Sequence, residues 1–237
     1  MIGWRESLTG WRMPRPDFQI VPDTSALLLT DMQYWAIHPE YGLAKVVQKD
    51  YPEIARYFFP RLKSLVIPNN RRLLDFFRNN HLRIVYLTVG PELTDGSDLS
   101  PIIKRRVSQR QAKGQPIAVF RKGTFEHSII EELKPQEGEL VVNKTSFGAF
   151  NSTSVDRILA NMRIESLIVT GVATDMCVET TARDAADRGY NCVLVEDSCA
   201  TFDEASHEAA LRAFAKSFGM VKSTSEVIAE LENGLDR

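Results

Sequence analysis

The chain has 237 residues, of which 43% are hydrophobic and 25% charged, with a formal net charge of −2. This is ordinary globular composition, and the length suits one large α/β domain better than two small ones. The near-neutral charge supplies no single-sign field to steer nucleic acid or an anionic membrane surface, and no apolar run of about 18 residues or more is present to span a bilayer.

Residues 1–22 contain Trp4, Trp11 and three prolines. They lack the apolar core and small-residue cleavage site of a secretory signal. They read as an extended N-terminal arm, packed on the surface or on a neighbouring subunit, ahead of a single domain over 23–237. Short, unalternating apolar runs then recur at Ala26–Thr30, Ile84–Val89, Leu140–Asn143, Leu167–Thr170 and Cys192–Val195. Such runs are expected of parallel strands covered by helices on both faces. Gly219–Val221 adds a last short strand. Helical spacing appears over Pro68–Asn79, Ser152–Met162, Val178–Arg188 and Glu204–Phe218, and a terminal helix opens near Ser223 or Ser225. Ser152 or Thr153 is the expected N-cap of the second helix, and Gly189 the C′ residue of the third. The aromatic-rich stretch 34–67 is too long for a simple strand–helix connection. The basic run from Lys104 to Arg121 reads as a solvated helix face rather than a binding patch.

Strand alternating with helix predicts a doubly wound three-layer α/β/α fold on a mainly parallel six-stranded sheet. Ligands in such folds bind beyond the carboxyl ends of the strands. The residues there are Asp31, the segment after Val89, Lys144, Gly171–Cys177 and Glu196–Asp197.

Three cysteines, Cys177, Cys192 and Cys199, are too few and odd in number for a disulfide scaffold and point to a reduced, cytoplasmic protein. Cys177 follows a strand and a glycine turn, and is predicted in the first turn of a helix opened by Thr174 or Asp175. There the unpaired N–H groups and the helix dipole favour a thiolate, the species that attacks an amide carbon; a small buried hydrophobe is the alternative. Asp31 suits a general base or a turn former. Lys144 suits a surface lysine, or a cation holding a carboxylate and a thiolate ionised. His38, His81, His127 and His207 have no metal-ligand spacing between any two, so no metal and no cofactor are expected.

Three blocks carry a resemblance to the isochorismatase-like cysteine hydrolases, nearest the ureidoacrylate, biuret and N-carbamoylsarcosine amidohydrolase branch. They are ALLLTDMQ (26–33), ELVVNKTSFGAFNST (139–153) and LIVTGVATDMCVETTARDAADRGYNCVLVEDSCA (167–200); KGTFEHSIIEELKP (122–135) is also similar. The resemblance implies a triad of Asp31, Lys144 and Cys177 and a cis peptide between Val172 and Ala173. It implies an oxyanion hole from the N–H groups of Ala173 and Cys177, and hydrolysis of a C–N bond in a small amide, carbamoyl or ureido substrate through a thioester. Nicotinamidases of the family place a metal-binding aspartate and histidines after the second strand, where this chain has TVGPELTDGSD (88–98) without histidine. The vinyl-ether-cleaving members typically lack the cysteine. That activity, or a non-catalytic thiol-sensing role, is the alternative. Gln33, Tyr34, Trp35, Phe147 and Phe150 are candidate substrate-binding residues. A homo-oligomer, dimer or tetramer, is expected, with the arm and the 34–67 insertion supplying subunit contacts or, for the insertion, a lid.

Overall fold

The computed structural model describes residues 3–115 and 119–236. Among the described residues six strands form one all-parallel sheet: β1 (Ser25–Thr30), β2 (Arg83–Val89), β3 (Leu140–Lys144), β4 (Ser166–Val172), β5 (Asn191–Ala200) and β6 (Met220–Lys222), in the order β3-β2-β1-β4-β5-β6. Alternate side chains of β1 point to opposite faces. Leu27 and Leu29 enter one core and Ala26 and Leu28 the other, all fully buried. This is why the strand reads as a continuous apolar run.

The first core is covered by α1 (Tyr34–Ile37), α2 (Gly42–Asp50), α3 (Pro52–Arg61), α4 (Ile67–Asn79), α5 (Pro101–Ala112) and, at the far edge, a C-terminal helix over Thr224–Leu235. The second is covered by α6 (Val155–Asn161), α7 (Glu179–Asp187) and α8 (Glu204–Ser217). The C-terminal helix, α9, opens on a capping box in which Ser223 and Glu226 satisfy each other's backbone N–H groups. α6 starts at Val155, later than its pattern suggests. Thr153 nevertheless serves its first turn by accepting from Val155 N at 3.1 Å.

Residues 34–67 fold into helices that continue the chain from β1 to α4. Pro60 and Pro68 each remove a donor from this helical run, and between them the chain widens into a π turn over Leu62–Val66. The N-terminal segment lies on its own chain. Trp4 and Leu8 are buried in the second core, and Trp4 donates from its backbone N–H to Glu208 and from its indole to Glu196.

β5 departs from its predicted span. Six residues, Leu194 to Cys199, run against only three of β4, Val169 to Gly171. The carbonyls freed by this bulge need donors, and the α3–α4 run supplies them. Arg61 donates to Glu196 O (2.9 Å) and Cys199 O (3.1 Å), Asn69 to Asp197 O (3.1 Å) and Asn70 to Ser198 O (2.9 Å).

Candidate active site

The strand order reverses between β1 and β4, and in a doubly wound sheet that switch point opens a crevice beyond the strand ends. A cavity of about 130 Å³ lies there, and Asp31, Ala173 and Cys177 face it. Asp31 is the first residue after β1, with φ +52°, its N–H donating to Leu87 O at 2.8 Å. Asp tolerates this left-handed backbone better than most residues, and the turn carries the carboxylate off the sheet into the crevice. Lys144 ends β3, two strands away, and its long stem reaches Asp31.

The Lys144 ammonium donates to Asp31 Oδ2 at 2.9 Å and to Ser146 O at 3.2 Å. Both side chains are buried, 0% and 3% exposed. Asp31 Oδ1 is buried without a hydrogen bond of regular geometry. Burial pushes the Asp31 carboxyl up, against the pull of Lys144 and of Cys177. For Lys144 burial acts downward, but Asp31 and Cys177 outweigh it and hold the ammonium above its ordinary value. The Cys177 thiol is pushed up by burial and then by Asp31, with Lys144 opposing. A resting thiolate, expected from the helix start alone, is therefore disfavoured. Desolvation and the adjacent carboxylate both act against the thiolate that a helix start favours.

Cys177 sits in a π turn over Thr174–Val178 that leads into α7. The Val172–Ala173 peptide is cis. Neither Thr174 nor Asp175 caps this turn; Ala173 precedes it, and no side chain caps it. The Ala173 carbonyl accepts from Met176 N (3.0 Å) and Val178 N (3.2 Å) and passes over the Cys177 N–H between them. Thr174 and Asp175 bond elsewhere: Asp175 accepts from Thr201, and Thr174 Oγ1 lies 2.9 Å from His207 Nδ1. His207 Nε2 lies 2.8 Å from Arg61 Nη2. Arginine only donates, so Nε2 accepts, Nδ1 carries the proton, and Thr174 accepts it. Burial and the neighbouring Arg61 push the His207 pKa down to about 3, which keeps the ring neutral. A fixed Arg61–His207–Thr174 chain thus anchors the Thr174–Val178 turn. Gly171 allows β4 to pass this close to β1: it has φ +107°, and a Cβ would lie 2.0 Å from Thr30 O.

Of the five candidate substrate-binding residues, Trp35 and Phe147 line the cavity. Gln33 does not. It is fully buried behind the site, donating to His127 O (2.7 Å) and accepting from Val89 N (2.9 Å), and so ties β2 to the 122–135 segment. Tyr34 points away, stacked on Phe125 at 4.5 Å and facing a separate hollow. Phe150 belongs to the second core, beside Tyr190. Tyr34 and Trp35 are successive residues of α1 and cannot both face one cavity, whereas Gln33 precedes that helix in extended backbone and Phe150 lies in a separate short turn. Glu196 and Asp197 also miss the rim, because β5 continues to Ala200. Glu196 binds Trp4 and Arg5, and Asp197 accepts from Thr224 N and Oγ1.

Arg106, Arg110, Met176 and Phe202 also line the cavity, with several aliphatic residues. Arg106 and Arg110 lie in the run first read as a solvated helix face; Lys104, Arg105 and Arg106 are exposed and fit that reading, while Arg110 is half-buried, and both Arg106 and Arg110 border the cavity. The signal was present, since Ile103, Arg106, Val107 and Arg110 share one helix face and Ile103 is the buried residue of α5. Cys192 and Cys199 are buried in the core with their thiols pushed up to about 12 by burial. Among the described residues no group of three or more His, Cys, Asp or Glu is placed to hold a metal ion, and no helix is long and apolar enough to cross a membrane.

Comparison with known proteins agrees with this fold. The family model of the isochorismatase domain matches residues 25–226. The ureidoacrylate amidohydrolase RutB of Rhizobium rhizogenes is 30% identical over 202 residues, covering 81% of this chain and 76% of that protein. An uncharacterized isochorismatase family protein, YwoC of Bacillus subtilis, is 29% identical over 167 residues, or 70% of this chain and 84% of that one. Among solved structures, a cysteine hydrolase from Pseudomonas syringae superposes with TM-score 0.75 at 24% identity, covering 94% of this chain and 99% of its own. N-carbamoylsarcosine amidase from Thermoplasma acidophilum superposes with TM-score 0.61 at 24% identity, covering 85% and 96%. Both have the same fold.

Proposed function

The chain belongs to the isochorismatase family of hydrolases, and from that premise we propose that it is a cysteine-dependent amidohydrolase cleaving a C–N bond of a small amide, carbamoyl or ureido compound. The observation that carries this reading is the buried Asp31–Lys144 ion pair beside Cys177 in the switch-point cavity. A buried pair is weak evidence for stability, whereas a carboxylate with one free oxygen beside a neutral thiol is what general-base activation of a nucleophile requires.

In the proposed reaction Asp31 removes the thiol proton as Cys177 Sγ bonds to the substrate carbonyl carbon. The carbonyl π pair moves onto oxygen, and the resulting oxyanion accepts from the Ala173 and Cys177 N–H groups. Collapse of this adduct expels the nitrogen, which takes the proton from Asp31 and leaves as ammonia or an amine. Water then gives a proton to Asp31 and attacks the thioester. A second collapse releases the acid product, and the sulfur recovers its proton. Lys144 remains charged throughout and offsets the negative charge that moves between Asp31 and Sγ. Three buried, unpaired cysteines support a reducing, cytoplasmic setting.

Release of ammonia from a panel of ureas, ureido acids and primary amides tests the reading. Wild-type protein is expected to release ammonia from at least one class, and Cys177→Ala from none. Equal behaviour of the two proteins on every compound would refute it.

A further inference from the structure

Charge in the cavity is unbalanced. The ionised side chains lining it are Asp31, Arg106 and Arg110, and Lys144 offsets Asp31. Neither arginine forms an ion pair among the described residues. The Arg106 guanidinium lies 4.9 Å from the Phe147 ring, and its Nη1 lies 3.4 Å from the sulfur of Met176, the residue before the nucleophile. Arg110 Nη1 is buried with no hydrogen-bond partner, and burial, with Arg106 as a further cause, lowers the Arg110 pKa.

This arrangement is costly without a ligand. A buried charged donor without an acceptor costs more than a neutral one, and like charges four residues apart on a helix repel. A carboxylate between the two forks would relieve both costs and match guanidinium geometry. The same two arginines also line an outer hollow of about 250 Å³ together with Lys113 and no acidic residue, so the approach to the cavity is positive as well. A positive, partly apolar entrance raises the local concentration of anions.

We propose that Arg106 and Arg110 form an anion subsite that selects substrates bearing a carboxylate a few bonds from the scissile carbonyl. The substrate class is then small ureido or amido acids rather than neutral ureas or amides. This rests on the hydrolase reading above, since it assigns the far end of the same substrate. Arg106, beside Met176, sets the distance of the carboxylate from Cys177, and Arg110 supplies the otherwise unpaired donor.

The test uses matched pairs: ureidoacetate and 3-ureidopropionate against their neutral primary amides. Binding to Cys177→Ala protein is measured by calorimetry, and ammonia release is measured with the cysteine intact. Each acid should bind about 10- to 100-fold more tightly than its amide. That ratio should fall toward unity in an R106Q/R110Q background, while Arg110→Lys, which keeps charge without the fork, should retain part of it. Neither arginine belongs to the core, and an unchanged thermal melt confirms that the variants fold. Equal binding of acid and amide, or a ratio that survives the double substitution, would overturn the subsite. Ammonia release from neutral amides without carboxylate preference would leave hydrolysis standing and overturn only the subsite. Carboxylate-selective binding without ammonia release from any compound would support the subsite and count against hydrolysis.

Discussion

At the residue scale the site is a buried charge pair next to a neutral thiol, and each member answers to a different substitution. Lys144→Met would leave Asp31 buried and unpaired, which costs about 3–5 kcal/mol; urea denaturation should show this loss. Asp31→Asn leaves Lys144 a neutral acceptor and removes the base, so kcat should fall about 10²–10⁴-fold with a smaller change in KM. An Asp31→Asn variant of undiminished kcat would remove Asp31 from the mechanism. His207 gives a pH signature. Its folded pKa of about 3 lies below the ordinary value of 6.5. Below pH 6.5 the unfolded chain holds a proton that the folded chain lacks, so this contribution to stability is present above pH 6.5 and lost as pH falls toward 3. The slope is about 1.4 kcal/mol per pH unit. Denaturation of wild-type and His207→Gln protein between pH 7 and 5 should show a steeper loss in the first than in the second, where His127, also lowered by burial, still contributes; parallel curves would refute the assignment.

At the element scale, the strands and the three site positions were legible because their signals are local. A parallel strand buried on both faces must be apolar throughout, so β1, β2 and β4 declare themselves; Asp31 and Cys177 follow β1 and β4, Lys144 ends the less buried edge strand β3, and topology puts all three on one rim. Less legible was whatever depended on neighbours. The β5 bulge is held open by donors from Arg61, Asn69 and Asn70, more than 120 residues away, and nothing in the sequence VEDSCA alone predicts it. The orientation of Tyr34 depends on which face of α1 meets the cavity, and those of Gln33 and Phe150 on the distant partners His127, Val89 and Tyr190, none of which composition sets. α5 was legible only in part: Arg106 is exposed as its charge suggests, but its spacing and that of Arg110 with Ile103 bring both to the edge of the cavity. Gly171 is the element-scale test. With a Cβ driven into Thr30 O, Gly171→Ala should destabilise by about 2–4 kcal/mol and lower kcat by moving β4 and the nucleophile turn. A variant matching wild type in both stability and rate would show that the β1–β4 approach is not needed.

For the whole molecule, the order β3-β2-β1-β4-β5-β6 places an acid, a lysine and a cysteine from three strand ends at one crevice. The remaining structure holds that crevice in place. The N-terminal segment takes part from the side, since Trp4 fills the second core and binds Glu196 and Glu208. Trp4→Ala should cost about 3–5 kcal/mol with KM unchanged, because Trp4 does not line the cavity; a raised KM would link the arm to the site.

The central claim is that Cys177 becomes acylated during turnover. Rapid acid quench of the protein with 3-ureidopropionate, followed by peptide mass analysis, tests it directly. An adduct carrying the acyl or carbamoyl fragment on the Cys177 peptide, formed within the first turnover and absent from Cys177→Ala, is the predicted result. Ammonia release in the same mixture with Cys177 unmodified at every time point, and retained by Cys177→Ala, would contradict it.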